Sequence, residues 1–152
     1  MSTLAQTAFV HVACPKCLAQ NRVDSARQAE SPRCGKCDTA LLDGQVVELD
    51  DATFEAFVGR TDLPVVVDFW APWCAPCRAM APEFARAAQL LAGRARLAKV
   101  NTDLSAALAG RLGIRSIPTL VRFEAGAERD RLSGTRGAAD LVRWIASAGT
   151  PP

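Results

Sequence analysis

The sequence predicts an α/β domain, with a mixed central sheet flanked by helices, that follows a small cysteine-rich segment. From Val46 onward, apolar strand patterns alternate with amphipathic helical patterns. Residues 1–45 instead carry four of the six cysteines and no long periodic element. Asp43-Gly44 is a turn signal between the two parts. We therefore divide the chain into residues 1–45 and residues 46–152.

The first elements of the larger part follow from short apolar patterns. Residues 46–49 are a predicted strand, and Asp50 or Asp51 is a candidate N-cap for a helix that ends at Gly59. Residues 63–70 form a continuous apolar run, which is typical of a central strand covered on both faces.

The remaining elements complete a βαβ unit and add a helix, a hairpin and a final helix. Pro82 interrupts the longest helical pattern and is expected to kink it. The predicted elements are a helix over 75–91, a strand over 97–101, a helix over 104–112, strands over 119–124 and 129–132, and a helix that begins at Arg136 or Gly137 and ends before Gly149. Parallel strands joined by a helical crossover, followed by a hairpin, predict a mixed sheet with helices on both faces.

Composition and charge argue against several classes of function. The chain has 18 basic and 16 acidic residues, so no strong field favours nucleic acid or a membrane surface. No apolar run approaches the roughly 20 residues that a membrane span needs. Residues 1–12 have neither a basic start nor a long apolar stretch, so we expect no secretory signal and a cytoplasmic location. We also expect a monomer.

A pair of cysteines lies between a predicted strand and a predicted helix, in Trp-Cys-Ala-Pro-Cys. Cys74 stands at the helix N-terminus, where unpaired N–H groups and the helix dipole lower a thiol pKa and favour the nucleophilic thiolate. Cys77 lies one turn later on the same face, in reach of a mixed disulfide at Cys74. Pro76 occupies an early helical position, where its missing N–H costs little. The alternative is an inert or metal-binding pair.

Asp68 interrupts the apolar run that leads to these cysteines. A carboxyl group buried there has a raised pKa and exchanges protons near neutral pH. The alternative is a hydrogen-bonded or edge aspartate that takes no part in the chemistry.

The four N-terminal cysteines form two further Cys-x-x-Cys pairs: Cys14 with Cys17, and Cys34 with Cys37. The 16 residues between the pairs fit the zinc spacing C-x2-C-x15–20-C-x2-C. Four thiolates close a tetrahedral site, so we predict one structural Zn²⁺ ion, without which so small a segment would hardly fold. Iron, two disulfides or unliganded cysteines are the alternatives, and His11 is a candidate extra ligand or an incidental neighbour.

Residues 67–78, Val-Asp-Phe-Trp-Ala-Pro-Trp-Cys-Ala-Pro-Cys-Arg, resemble the active-site segment of the thioredoxin family. Ile117-Pro118-Thr119 resembles the proline loop of that family, and Gly134 resembles a glycine near it. With its four N-terminal cysteines, the whole chain resembles the bacterial thioredoxin 2 type, which has a zinc-binding N-terminal extension. Ala75 departs from the usual Trp-Cys-Gly-Pro-Cys motif.

The resemblance implies a thioredoxin fold and a protein disulfide reductase. Cys74 is then the nucleophile and Cys77 the resolving cysteine. Asp68 is the buried aspartate that helps to deprotonate Cys77 through water. Lys99 matches a lysine near that aspartate, and its alternative is a solvated lysine at a strand end.

The same resemblance implies a cis peptide bond before Pro118, which would place the Ile117 backbone beside Cys74. An extended substrate segment would pair with that backbone through main-chain hydrogen bonds. The residues expected to bind substrate are Trp73, Ala75, Pro76, Ile117 and Gly134.

The sequence carries no nucleotide or flavin site of its own. The resemblance therefore implies disulfide-containing protein substrates and reduction by an NADPH-dependent thioredoxin reductase. Two other functions stay open: a disulfide oxidant or isomerase, and a redox-controlled binding or holdase module in which zinc release exposes a surface.

Overall fold

The computed structural model describes residues 8–147 and contains two sheets, one of two strands and one of five. Residues 1–7, which make up most of the segment in which we expect no secretory signal, lie outside the described residues, as do residues 148–152. The strands are β1 (Phe9–Ala13), β2 (Gln20–Asp24), β3 (Val47–Leu49), β4 (Val65–Trp70), β5 (Arg96–Asn101), β6 (Thr119–Glu124) and β7 (Ala127–Ser133). The helices are α1 (Phe54–Gly59), α2 (Ala75–Leu90), α3 (Ala106–Arg111) and α4 (Ala138–Ala146), with a 3₁₀ turn at Ser25–Arg27.

The larger sheet has the strand order β3-β5-β4-β6-β7 and is mixed, as predicted. Strand β4 lies in the middle, parallel to β5 and antiparallel to β6. Strands β6 and β7 form the expected hairpin. No helix within the described part of the chain is long and apolar enough to cross a membrane.

Both faces of β4 are covered, which explains its continuous apolar sequence. Val65, Val67 and Phe69 point into a core that includes α1 and α3 residues, while Val66 points into a core built with α2 and α4. Because side chains alternate along a strand, Asp68 shares the α2 face with Val66. The central strand therefore delivers one carboxyl group beneath the helix that begins with the cysteine pair.

Most element boundaries differ from the prediction by one or two residues, and those of α1 and β7 differ most visibly. Helix α1 begins at Phe54 instead of after Asp50 or Asp51, because the Asp50 carboxylate accepts hydrogen bonds from the Ala52 and Thr53 N–H groups and closes a separate turn first. Strand β7 is longer at both ends than the predicted 129–132. Helix α2 continues past Pro82 to Leu90.

The cysteine-rich segment contains an antiparallel hairpin, β1–β2, that the sequence patterns do not reveal. Hydrogen bonds to the backbone of β1 attach it to the larger part. The His11 carbonyl accepts from the Asp62 N–H at 2.8 Å, and the Ala13 N–H donates to Thr61 Oγ1 at 3.0 Å. Asp62 and Thr61 lie just before β4.

Side chains extend this attachment. Arg60 Nη1 donates to the Leu18 carbonyl at 2.8 Å, and Gln28 Nε2 donates to the Gly93 carbonyl at 2.8 Å. Gly93 has a φ of +83°, and a Cβ there would lie 3.0 Å from the Gln28 carbonyl oxygen, so only glycine fits.

These contacts involve the loops that enter β4 and β5, whereas Cys74 follows the other end of β4. The two cysteine sites therefore lie at opposite ends of the sheet.

We predict that replacing Thr61 with valine loosens this attachment. Thr61 is fully buried, and its hydroxyl accepts from the Ala13 N–H and donates to the Phe57 carbonyl. Thr61→Val keeps the shape but leaves a buried N–H unpaired, so urea unfolding should show a loss of about 1–3 kcal/mol. The exposed control Thr135→Val should stay within about 0.5 kcal/mol of the parent protein. A Thr61→Val protein as stable as that control would contradict the prediction.

Candidate functional site

The Cys74–Cys77 pair lies at the start of α2, as predicted, and forms a disulfide with a Cα–Cα distance of 5.2 Å. Cys74 is the N-cap residue of the helix, and its Sγ accepts a hydrogen bond from the Cys77 N–H at 3.2 Å. Both cysteines are largely buried, with 5% of Cys74 and 2% of Cys77 exposed. The helix N-terminus thus directs a backbone donor at Cys74 sulfur, which favours its thiolate when the disulfide is open.

The proline loop lies beside the dithiol, as the family resemblance implies. The Ile117–Pro118 peptide bond is cis, and the Ile117 carbonyl oxygen lies 3.9 Å from Cys74 Sγ. The Gly134 N–H donates to the Pro118 carbonyl at 2.9 Å, which holds the glycine beside the loop. The structure therefore brings Ile117, Pro118 and Gly134 together with Cys74.

A cleft of about 460 Å³ opens beside the dithiol. Trp73 forms one wall and is 68% exposed. The lining residues are Trp73, Thr102, Ala109, Ile114, Arg115, Ser116 and Ile117. Ala75 and Pro76 are exposed on the first turn of α2 but do not line this cleft.

Part of this surface follows β5 and was not predicted from the sequence patterns. Trp73 Nε1 donates to Asp103 Oδ1 at 3.2 Å, and Thr102 donates its hydroxyl to the Trp70 carbonyl at 3.0 Å. The neighbouring Leu104 side chain is 79% exposed. Parallel strands β4 and β5 end at the same edge of the sheet. The position of residues 102–104 directly after β5 was therefore the sequence signal that could have predicted their place near the cysteine pair.

Asp68 is buried on the α2 face, with 2% of its surface exposed. Burial raises the pKa of this carboxyl group to about 7, and the positive charge of Lys99 opposes the shift. Within residues 8–147, Asp68 Oδ1 has no hydrogen-bond partner. A carboxyl group with this pKa is present in both protonation states near neutral pH.

Lys99 pairs with Asp68 in the register of β4 and β5. Its Nζ lies 4.4 Å from the centre of the Trp70 ring, a cation–π contact. The lysine is half-buried, and within the described residues no salt bridge joins it to Asp68.

The four N-terminal cysteines converge, with all four Sγ atoms within 4.8 Å of one another. The Sγ atoms of Cys14 and Cys37 are 3.5 Å apart, and those of Cys17 and Cys34 are 3.7 Å apart. Sulfurs about 2.3 Å from a central zinc ion would lie about 3.8 Å apart in an ideal tetrahedron. The cluster therefore fits a four-thiolate metal site.

Backbone donors support the cluster in two matching turns. Lys16 and Cys17 donate their N–H groups to Cys14 Sγ at 3.3 and 3.4 Å, and Lys36 donates to Cys34 Sγ at 3.4 Å. These donors stabilise thiolate sulfur, the form that binds metal.

Two neighbours of the cluster have distinct contacts. The Asn21 amide donates to Cys34 Sγ at 3.5 Å and lowers the pKa of that thiol. His11 instead directs its Nδ1 at Asp62 Oδ2, 3.0 Å away, and is not part of the cluster. The interpretation of His11 as an incidental neighbour therefore agrees with the structure.

Comparisons with known proteins match both parts of the chain. A family model described as Thioredoxin matches residues 45–147, and one described as Thioredoxin 2, N-terminal, matches residues 13–39. Thioredoxin C-3 of Corynebacterium nephridii is 39% identical over 134 residues, which cover 88% of this chain and 92% of that protein. Thioredoxin M4, chloroplastic, of Arabidopsis thaliana is 38% identical over 128 residues, 84% of this chain and 66% of that protein.

Solved structures give the same result. A mutant thioredoxin from Halobacterium salinarum NRC-1 is similar with a TM-score of 0.65 and 27% identity, covering 72% of this chain and 96% of that chain. The family match spans most of the chain and includes the dithiol, and the second match includes the four-cysteine cluster. The chain therefore belongs to the thioredoxin family, with an N-terminal zinc-ribbon segment of the thioredoxin 2 kind.

Proposed function

We propose that this thiol–disulfide oxidoreductase acts as a protein disulfide reductase. The observation that carries the proposal is the position of Cys74 as N-cap of α2, with its Sγ accepting the Cys77 N–H. That position favours a thiolate at the more exposed of the two cysteines and keeps the second cysteine within one turn.

The proposed reaction has two exchanges. The Cys74 thiolate attacks one sulfur of a substrate disulfide, forms a mixed disulfide and releases the other substrate sulfur as a thiolate. Cys77 then loses its proton and attacks Cys74 Sγ, which forms the Cys74–Cys77 disulfide and releases the second substrate thiolate. The substrate gains two electrons, and the dithiol loses two.

We assign to Asp68 the role of accepting the Cys77 proton. Its burial on the α2 face and its pKa of about 7 support this role, because a base with a pKa near the working pH accepts a proton readily and releases it again. Lys99 tunes this group, since its positive charge lowers the Asp68 pKa. We regard Lys99 as a residue that acts through Asp68.

The proposed substrate surface surrounds Cys74. The Ile117 backbone beside Cys74 would receive an extended substrate segment, together with Pro118 and with Gly134, whose N–H donates to the Pro118 carbonyl. Trp73 offers an exposed apolar face. Ala75 and Pro76 contribute the exposed first turn of α2.

We propose that the four N-terminal cysteines hold one structural Zn²⁺ ion. Four sulfur ligands leave no open position, so the ion would stabilise the fold of this segment without taking part in thiol exchange. The separate sheets and the separate family matches support a division into residues 1–45 and 46–152.

The proposed partners are disulfide-containing proteins and an NADPH-dependent thioredoxin reductase that regenerates the dithiol. A cytoplasmic location suits the four ribbon cysteines, which form no disulfide in the described part of the chain and need a reducing compartment to stay thiolates.

The assignment of the two cysteines is tested by Cys77→Ser. This variant should attack a protein disulfide such as those of insulin and stop at the mixed disulfide, because the resolving thiol is gone. Non-reducing gel electrophoresis and mass spectrometry should find one covalent adduct per chain. The matched variant Cys74→Ser should form none. An adduct on Cys77 in the Cys74→Ser protein would reverse the assignment.

The role of Asp68 is tested by Asp68→Asn, which keeps the shape but accepts no proton. Resolution of the mixed disulfide should slow by about 10- to 100-fold at pH 7, at or below the usual range for general-base catalysis. In the parent protein, the rate of mixed-disulfide resolution should rise as the pH passes through about 7, and Asp68→Asn should lack this rise. Glu48→Gln, on an exposed position of β3, is the control and should behave like the parent protein. An unchanged pH profile in Asp68→Asn would remove Asp68 from the mechanism.

The same substitution should change stability with a definite sign. The folded-state pKa of Asp68 is about 7, above its unfolded value, so the parent protein loses stability as pH rises from about 4 to above 7. The loss amounts to at most roughly 4 kcal/mol. Asp68→Asn should therefore be more stable than the parent protein at pH 8, with a difference that shrinks toward pH 4.

A further inference from the structure

Three arginines lie around the dithiol, although the chain as a whole has almost balanced charge. They are Arg78 on the first turn of α2, Arg115 just before the proline loop and Arg136 just before α4. We call these three residues the arginine rim. The whole chain has a net charge of +2, from 18 basic and 16 acidic residues, so the rim is a local feature that the composition does not reveal.

Arg78 is held beside the loop that leads into the nucleophile. Its Nη1 donates to the Pro72 carbonyl at 2.8 Å, and its backbone N–H donates to the Cys74 carbonyl at 3.1 Å. The residue is exposed. The first positive charge of the rim is therefore fixed near Cys74 and open to a segment that approaches it.

Arg115 brings a second positive charge to the cleft beside the dithiol. It lines that cleft together with Trp73 and Ile117, and the Ile117 carbonyl oxygen lies 3.9 Å from Cys74 Sγ. Arg115 is exposed, and among the described residues it is the only charged one in the cleft lining. A substrate side chain that enters the cleft therefore meets a positive charge.

Arg136 places the third charge beside the glycine that contacts the proline loop. Its Nη1 lies 3.4 Å from the position that a Cβ on Gly134 would take, and the Gly134 N–H donates to the Pro118 carbonyl at 2.9 Å. Nη1 also donates to the Ser133 and Thr135 carbonyls, at 3.3 and 2.9 Å. These bonds hold the guanidinium next to the proposed substrate surface.

Acidic side chains of the chain do not fully neutralise the rim. Within residues 8–147, no ion pair joins any of the three arginines to a carboxylate within 4.0 Å. The nearby carboxylates of Asp103 and Glu83 accept from Trp73 Nε1 and from the Ala138 N–H, respectively. They offset part of the positive charge, and an excess remains for a bound segment to pair with.

We propose that the arginine rim makes this reductase prefer disulfides whose cysteines are flanked by acidic side chains. The proposal rests on the proposed function and names the substrate class of that site: an extended protein segment with Asp or Glu within three residues of the attacked cysteine. Residues of an extended segment rise about 3.3 Å each, so these side chains stay within about 10 Å of the reacting sulfur. This distance is close to the Debye length at 0.1 M salt.

The rim acts on the encounter with substrate, because opposite charges raise the rate at which two molecules associate in a productive orientation. The second-order rate constant should therefore carry the preference, and added salt should weaken it. The arginines also favour the Cys74 thiolate, but that effect is the same for every substrate. A ratio of rates for two substrates of opposite charge therefore isolates the recognition of substrate by the rim.

The test uses the full-length chain, reduced with dithiothreitol that is then removed, and two disulfide-linked peptides as probes. The peptides differ only in having Glu or Lys on both sides of the cysteine. Quenched-flow measurement of the released thiol gives a second-order rate constant for each peptide. The acid preference is the rate constant for the Glu peptide divided by that for the Lys peptide. Dividing this ratio by the same ratio measured with dithiothreitol removes the intrinsic reactivity of the two disulfides.

The parent protein should show an acid preference of at least fivefold at 20 mM salt and less than twofold at 1 M salt, where the Debye length is about 3 Å. A preference within twofold at low salt, with both peptides reduced, would overturn the proposal and leave the proposed function intact. Reduction of neither peptide would contradict the proposed function itself, and this proposal with it.

A variant without the rim charges locates the preference. The triple variant Arg78→Gln, Arg115→Gln and Arg136→Gln should reduce both peptides with a preference within twofold. If the triple variant does not fold, Arg115→Gln replaces it, because one exposed substitution leaves the fold intact. This single variant should lower the preference at least twofold.

The matched control is Arg94→Gln. Arg94 is exposed and its Nη2 donates to the Leu90 carbonyl at 2.8 Å, as Arg78 does to Pro72, but it precedes β5 at the opposite end of the sheet. Arg94→Gln should keep the preference of the parent protein. A rim variant with the same preference as Arg94→Gln would show that the rim does not select substrate and would overturn the proposal.

Discussion

The hydrogen bond from the Cys77 N–H to Cys74 Sγ is the interaction on which the redox site depends. It forms because β4 is buried on both faces and delivers the chain to a fixed point at the sheet edge, where α2 begins. A helix N-terminus has donors that no carbonyl in the helix can satisfy, and here one of them meets sulfur. The same helix start sets the spacing of the two cysteines, so the fold of the backbone and the reactivity of the dithiol have one cause.

The two cysteine sites have different surroundings, which support the different chemistry that we propose for them. At the carboxyl end of β4, an exposed tryptophan, a cis-proline loop and an open cleft lie around Cys74, as its proposed attack on a substrate disulfide requires. At the opposite end, the ribbon thiols face one another, receive backbone donors and pack against the loops that precede β4 and β5. This separation suits a structural metal site, which gains nothing from contact with substrate.

Much of this arrangement was predictable from the sequence, and the exceptions have physical reasons. Local patterns predict the dithiol at a helix start and the convergence of the four N-terminal cysteines, whereas they leave open whether Asp68 is buried or lies at an edge. The cis bond at Pro118 needed the family resemblance, because an Ile-Pro pair alone favours trans. The Trp73–Asp103 contact and the buried Arg96 depend on how distant segments meet, which no local pattern encodes. The predicted start of α1 is wrong because Asp50 closes a separate turn before the helix, which begins at Phe54. An aspartate at this position fits both such a turn and a helix N-cap.

The direction of the reaction is the central claim, and the reduction potential of the Cys74–Cys77 pair tests it most directly. The measurement equilibrates the zinc-loaded chain with glutathione or dithiothreitol redox buffers and counts free thiols at the pair. We predict a potential well below about −230 mV, which suits a reductant in a reducing compartment. A potential at or above about −180 mV would contradict the account and identify the chain as a disulfide donor or isomerase.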